Sequence, residues 1–163
     1  MHETREDDTR SPRTPRDVLV VEDDVAFREV ISRNLRSRGM EVREAASVRG
    51  ALRELMSRQP DLLFLDINLP DQTGWDLLRE ARRRGMDIPT VVLSAVQATP
   101  SRLEEFKPLA YLPKPCPIEA LLRLATGTLE SESGAGLSED GQKPFPPGAA
   151  RPSIVRVRGN RHA

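Results

Sequence analysis

Four apolar runs in this chain each end abruptly in a polar group, and that repetition limits the fold more than any other feature. Leu62-Leu63-Phe64-Leu65 ends in Asp66, and Val18-Leu19-Val20-Val21 ends in Glu22-Asp23-Asp24. Thr90-Val91-Val92-Leu93 ends in Ser94, and Ala110-Tyr111-Leu112 leads to Lys114-Pro115. Runs this short and this apolar suit buried strands covered on both faces. Carboxylates, a hydroxyl and an ammonium would then sit at the carboxyl ends of strands. An open parallel sheet keeps its chemistry at that end.

Amphipathic segments fill the gaps, so the pattern from 17 to 129 is strand then helix, five times over. Strands are expected at 18–22, 40–45, 61–66, 90–94 and 110–113. The first helix follows Asp24 as N-cap, places Phe27, Val30, Ile31 and Leu35 on one face, and stops at Gly39. The second starts at Ser47, carries Val48, Ala51, Leu52 and Leu55, and is ended by Pro60. The third has Thr73 and Asp76 at capping-box spacing and turns Trp75, Leu78 and Ala81 inward before Gly85. The fourth is short, from Thr99-Pro100 to about Phe106, with proline at its first position. The fifth follows Pro117 with Ile118, Leu121, Leu122 and Leu124.

Such alternation demands a parallel sheet with helices on both faces. The second strand mixes charged with apolar residues and belongs at an edge. The expected class is therefore α/β, a doubly wound five-stranded parallel sheet in the order 2-1-3-4-5. That order is already known for flavodoxin-like folds. Its switch point, between strands one and three, gathers Glu22, Asp23 and Asp66.

The ends of the chain differ in composition. Residues 1–16 mix acids, arginines and two prolines without periodicity, and a disordered arm is expected there. Six of the ten glycines fall between 127 and 163, among serines and prolines. The folded unit is expected over 17–129, followed by a disordered Gly/Pro-rich tail, 130–163, with a basic end. That tail is too short for a DNA-binding or catalytic output domain. Its Arg151, Arg156, Arg158 and Arg161 would give only weak, salt-sensitive affinity for nucleic acid. Basic and acidic residues balance at 25 each. No apolar stretch approaches a secretory signal or the ~18 residues of a membrane span. A single cysteine, Cys116, excludes an internal disulfide. A soluble cytoplasmic protein is the expectation.

Three clustered carboxylates repel one another, and a hard divalent cation removes the repulsion. Mg²⁺ suits the oxygen set, with Asp66 and Asp23 as direct ligands and Glu22 direct or through water. An ionised carboxylate beside that metal can attack phosphorus and form an aspartyl phosphate. Lys114 would supply a point charge and Ser94 a hydroxyl to the transferred oxygens.

The motifs that carry this chemistry are Val20-Val21-Glu22-Asp23-Asp24, Leu65-Asp66-Ile67-Asn68-Leu69-Pro70 with Gly74, Leu93-Ser94-Ala95, and Tyr111-Leu112-Pro113-Lys114-Pro115. Together, in this order, they resemble those of two-component response-regulator receiver domains over about 17–129. The resemblance implies that Asp66 is the phosphoacceptor, charged by a sensor histidine kinase or a phosphotransfer protein. It implies that Glu22 and Asp23 bind Mg²⁺, that Asn68 adds its backbone carbonyl, and that Lys114 pairs with the acyl phosphate before a cis bond to Pro115. Ser94 and Tyr111 would form the switch that signals to a downstream protein at the face of helix four, strand five and helix five. No enzyme activity is implied, and output would run through protein contacts from a stand-alone domain. The alternative is a receiver-fold scaffold that binds partners regardless of phosphate. A haloacid-type hydrolase would want a second Asp where Asn68 stands.

Other residues take plainer readings. Asp24 is a helix cap, Trp75 is surface or packing, and Cys116 fills an apolar gap. Arg82-Arg83-Arg84 is a solvated cluster at the negative end of the third helix. One region departs from the family. Ser94 to Lys114 is slightly shortened, Phe106-Lys107-Pro108-Leu109-Ala110 replaces the usual approach to the switch aromatic, and Pro100 and Pro108 bracket helix four. A partner surface unlike that of common receivers is expected.

Overall fold

The computed structural model describes residues 17–127. The arm at 1–16 and the tail at 130–163 lie outside the described residues. The elements are β1 (Asp17–Val21), α1 (Val25–Arg36), β2 (Glu41–Ala45), α2 (Val48–Ser57), β3 (Leu62–Asp66), α3 (Gly74–Arg83), β4 (Thr90–Ser94), α4 (Pro100–Phe106), β5 (Ala110–Pro113) and α5 (Ile118–Ala125). The strands form one sheet in the order β2-β1-β3-β4-β5. Every pairing is parallel, with Val20 opposite Phe64, Leu65 opposite Val92 and Leu93 opposite Leu112.

The continuous apolar runs follow from burial on both faces. Successive strand side chains alternate between faces, so each run feeds two cores. Leu19, Val21, Leu63, Leu65 and Val92 pack under α2 and α3 with Val48, Ala51, Leu55, Leu77 and Ala81. Val18, Val20, Leu62, Phe64, Val91, Leu93 and Leu112 pack under α1 and α5 with Ile31, Leu35 and Leu121. No residue of β1, β3 or β4 escapes burial. At the edge, β2 keeps Glu41 exposed and Arg43 half-buried. Arg43 reaches across to grip both carboxylate oxygens of the buried Asp17, each at 3.0 Å.

Local signals set the helix starts. Asp24, Ser47 and Thr99 cap α1, α2 and α4 by accepting from the backbone N–H of Phe27, Gly50 and Arg102. Thr73 and Asp76 close a reciprocal capping box on α3. Each cap satisfies an N–H that the first helical turn leaves without a partner. Two details differ from expectation. Val30 is 47% exposed, because the buried stripe of α1 runs through Ile31 and Leu35 and leaves Val30 outside it. Leu77 is fully buried on α3, beside the expected Trp75, Leu78 and Ala81. No helix among the described residues is long and apolar enough to cross a membrane.

As expected, α4 is short. It spans seven residues and ends where Lys107 takes the left-handed conformation at φ 45°. Arg82 holds that end by donating to the carbonyl oxygens of Glu105 and Phe106. This corrects the reading of Arg82-Arg83-Arg84 as a uniformly solvated cluster. Arg83 and Arg84 do pair locally with Glu80, but Arg82 crosses to the next helix and satisfies its last carbonyls.

Candidate functional site

Adjacent strands end side by side, and their polar termini meet at one edge of the sheet. Glu22 and Asp23 follow β1, Asp66 ends β3, Ser94 ends β4 and Lys114 follows β5. Ligand oxygens of Glu22, Asp23 and Asp66 all lie within 4.8 Å of one another. Glu22 is fully buried and Asp66 is 3% exposed, whereas Asp23 faces solvent. The Lys114 ammonium bridges the two buried acids, with Nζ 2.6 Å from Glu22 Oε2 and 3.0 Å from Asp66 Oδ2.

Backbone groups fix the other oxygens. The Asn68 N–H donates to Asp66 Oδ1 at 3.0 Å, and the Asp24 N–H donates to Glu22 Oε1 at 3.1 Å. Arg28 of α1 donates to the Glu22 carbonyl oxygen at 2.7 Å. Gly74 lies so close beneath Asp66 that a Cβ there would stand 2.6 Å from the Asp66 carbonyl oxygen. The peptide bond between Lys114 and Pro115 is cis, as the family resemblance implied.

The electrostatics follow from this crowding. Burial pushes Glu22 above the usual carboxylate range, against the hydrogen bonds from Lys114 and the Asp24 N–H, and the nearby charge of Asp66 adds to the push. Burial alone would lower Lys114, but its hydrogen bonds to Glu22 and Asp66 outweigh it and hold the ammonium above the ordinary lysine range. Three acids against one ammonium leave negative charge uncompensated. An all-oxygen donor set with one solvent-facing carboxylate fits a partly hydrated Mg²⁺.

Ser94 and Tyr111, the two residues expected to act as a switch, share a backbone partner in Val96. Ser94 Oγ donates to the Val96 carbonyl oxygen at 2.8 Å and accepts from the Val96 N–H at 3.1 Å. The Tyr111 hydroxyl donates to the same carbonyl and accepts from the Ala98 N–H at 3.2 Å. Tyr111 is 7% exposed and points inward. Cys116 packs at the margin of the α1–α5 core, where burial pushes its thiol up. Sequence reasoning overlooked Arg28, and its polar, unpatterned position in α1 offered no signal. The stacking of Phe27 under Lys114, 5.3 Å from ring centroid to Nζ, was equally hidden.

A five-stranded doubly wound sheet with acids at the β1/β3 switch point and a lysine beyond β5 defines a protein of the CheY-like receiver class. The response regulator receiver domain pattern matches residues 18–126, and the chain belongs to that family. It is 36% identical over 126 residues to the response regulator MprA of Mycolicibacterium vanbaalenii, across 74% of this chain and 54% of that protein. The chain thus spans about half the length of the curated relatives it matches. The receiver domain of NtrX from Brucella abortus is 30% identical, with a TM-score of 0.62 over 71% of this chain and 99% of that one. The response regulator TrrA from Thermotoga maritima, solved in complex with Mg(2+)-BeF, is 27% identical, with a TM-score of 0.61 over 70% and 99%.

Proposed function

We propose that this chain is a phospho-accepting response regulator, charged on Asp66 by a histidine kinase or phosphotransfer protein. The observation that carries the reading is the setting of Asp66: nearly buried, Oδ1 held by the Asn68 N–H and Oδ2 on Lys114, beside Glu22 and Asp23. An Asp66 oxygen attacks phosphorus, the new P–O bond forms, and the bond from phosphorus to the donor nitrogen breaks. The nitrogen leaves with the electron pair. Asp23, Glu22, Asp66 and the Asn68 carbonyl would hold Mg²⁺, which when bound screens the phosphoryl charge. Lys114 offers its ammonium to the phosphoryl oxygens once one shifts from the Asp66 carboxylate. Ser94 offers its hydroxyl after leaving the Val96 carbonyl, and Tyr111, bound to that same oxygen, registers the change.

Output would pass through protein contacts at the α4–β5–α5 face, where the short α4 offers a surface different from that of longer-helix receivers. Incubating the protein with Mg²⁺ and a small phosphodonor tests the core of the reading. A mass gain of one phosphoryl group is expected on the wild type and not on Asp66→Ala. No gain under conditions that modify another receiver would instead favour a phosphate-independent scaffold.

A further inference from the structure

The segment between β3 and α3, residues 67–73, carries Asn68, the proposed source of a neutral oxygen for Mg²⁺. Several of its ties are internal. The Asn68 N–H bonds Asp66, the Gly74 N–H donates to the Ile67 carbonyl oxygen at 2.9 Å, and Asn68 pairs with Thr73 in a short antiparallel bridge. Asp71 makes a tie of another kind. Its Oδ1 accepts from the Val48 N–H and its Oδ2 from the Arg49 N–H, both at 2.9 Å. These are the first two N–H groups of α2, which the helix leaves without partners, while Ser47 Oγ takes the Gly50 N–H at 3.0 Å.

The same junction holds the opposite wall of the site. Ala45, the last residue of β2, accepts from the Glu22 N–H at 3.0 Å, and α2 starts three residues later. One short stretch of backbone, 45–49, thus grips the Glu22 side through Ala45 and the Asn68 side through Asp71. We infer that Asp71 is a positioning residue of the metal site, locking the Asn68 loop to the β2–α2 junction that also holds Glu22. This inference rests on the proposed function. Asp71 touches neither metal nor phosphoryl group. It sets the height of the Asn68 carbonyl relative to Glu22 and Asp23, and a misplaced oxygen weakens a cation that demands near-octahedral geometry.

The test compares Mg²⁺ binding by calorimetry and unassisted melting for the wild type, Asp71→Asn and Ser47→Ala. Asp71→Asn keeps the shape but leaves one oxygen for three N–H groups, those of Val48, Arg49 and Gln72, and Mg²⁺ affinity is expected to fall on the order of tenfold. Ser47→Ala removes the other α2 cap, so it should lower the melting temperature and leave Mg²⁺ affinity unchanged. Wild-type affinity in Asp71→Asn would overturn the inference. So would equal weakening in Ser47→Ala, which would mean that Asp71 acts only by stabilising α2. A wild type that binds no Mg²⁺ would overturn it too. A wild type that binds Mg²⁺ but accepts no phosphoryl group would sink the functional reading alone, with the effect of Asp71 still readable.

Discussion

The indole of Trp75 lies stacked on the ring of Phe106, with centroids 5.2 Å apart and 23° between the planes. Trp75 follows Gly74, which abuts Asp66, and Phe106 is the last residue of α4. The pair therefore joins the floor of the candidate site to the helix bordering the proposed output face. The guanidinium groups of Arg79 and Arg82 sit over the Phe106 ring, 5.7 and 5.2 Å from its centroid. A seven-residue helix has little hydrogen-bonded length of its own, so tertiary packing of this kind must hold it.

Truncating Phe106 to Ala should accordingly cost about 3 kcal/mol in urea unfolding, since a buried ring is lost with its cationic partners. Phe106→Leu keeps most of the volume and should cost about 1 kcal/mol. Equal stability of Phe106→Ala and the wild type would mean that α4 is held by other contacts.

Lys114→Met should destabilise the metal-free protein at neutral pH by about 2 kcal/mol, because Glu22 and Asp66 are left buried without their counter-charge. Lys114 remains 22% exposed, which keeps the cost below that of a fully buried pair. Added Mg²⁺ should raise the melting temperature of the variant more than that of the wild type. A smaller rise in the variant would contradict the shared compensation of charge.

Gly74→Ala would place a methyl 2.6 Å from the Asp66 carbonyl oxygen and 3.0 Å from the Ile67 Cα. Both obstacles are backbone, so the strand end itself must shift. The expected result is a loss of about 1–3 kcal/mol together with weaker Mg²⁺ binding. Calorimetry on the purified variant checks both; wild-type values would show that the turn relaxes freely.

Asp76 tests acid sensitivity. The Thr73 hydroxyl holds its carboxyl below the usual aspartate range; burial opposes this, while the Thr73 N–H, Arg79 and Arg102 reinforce it. A depressed folded value means the stabilisation is complete above the unfolded aspartate value, about 3.9. It is lost as pH falls through the lower folded value. The wild-type advantage over Asp76→Asn should therefore be constant near neutrality and shrink below about pH 4. Melting curves across that range read it directly, and a gap that widens toward acid would reverse the sign.

Much of this molecule was legible in order of residues. Helix caps at Asp24, Ser47 and Thr73 are local chemistry between a side chain and an N–H three positions on, so spacing alone reveals them. The shortness of α4 was equally readable from Pro100 and Pro108. Val30 was misjudged because an apolar residue at the margin of a helical stripe carries the same period whether it faces the core or the solvent. Arg82 was misjudged because a basic residue in a last helical turn looks alike whether its guanidinium meets water or the carbonyls of another helix.

The sequence by itself determined the alternation of strand and helix, the parallel sheet and its edge strand, and the polar groups at the strand ends. Hydrophobic period and residue type act over a few neighbours, so a linear reading captures them. The tertiary structure alone decided that Ser94 and Tyr111 share the Val96 carbonyl. It alone set the Asp71 carboxylate on α2 and the Phe106 ring against Trp75 and two arginines. Those relationships join residues far apart in the chain, and a hydrogen bond or ring contact of that reach leaves no period in the sequence to betray it.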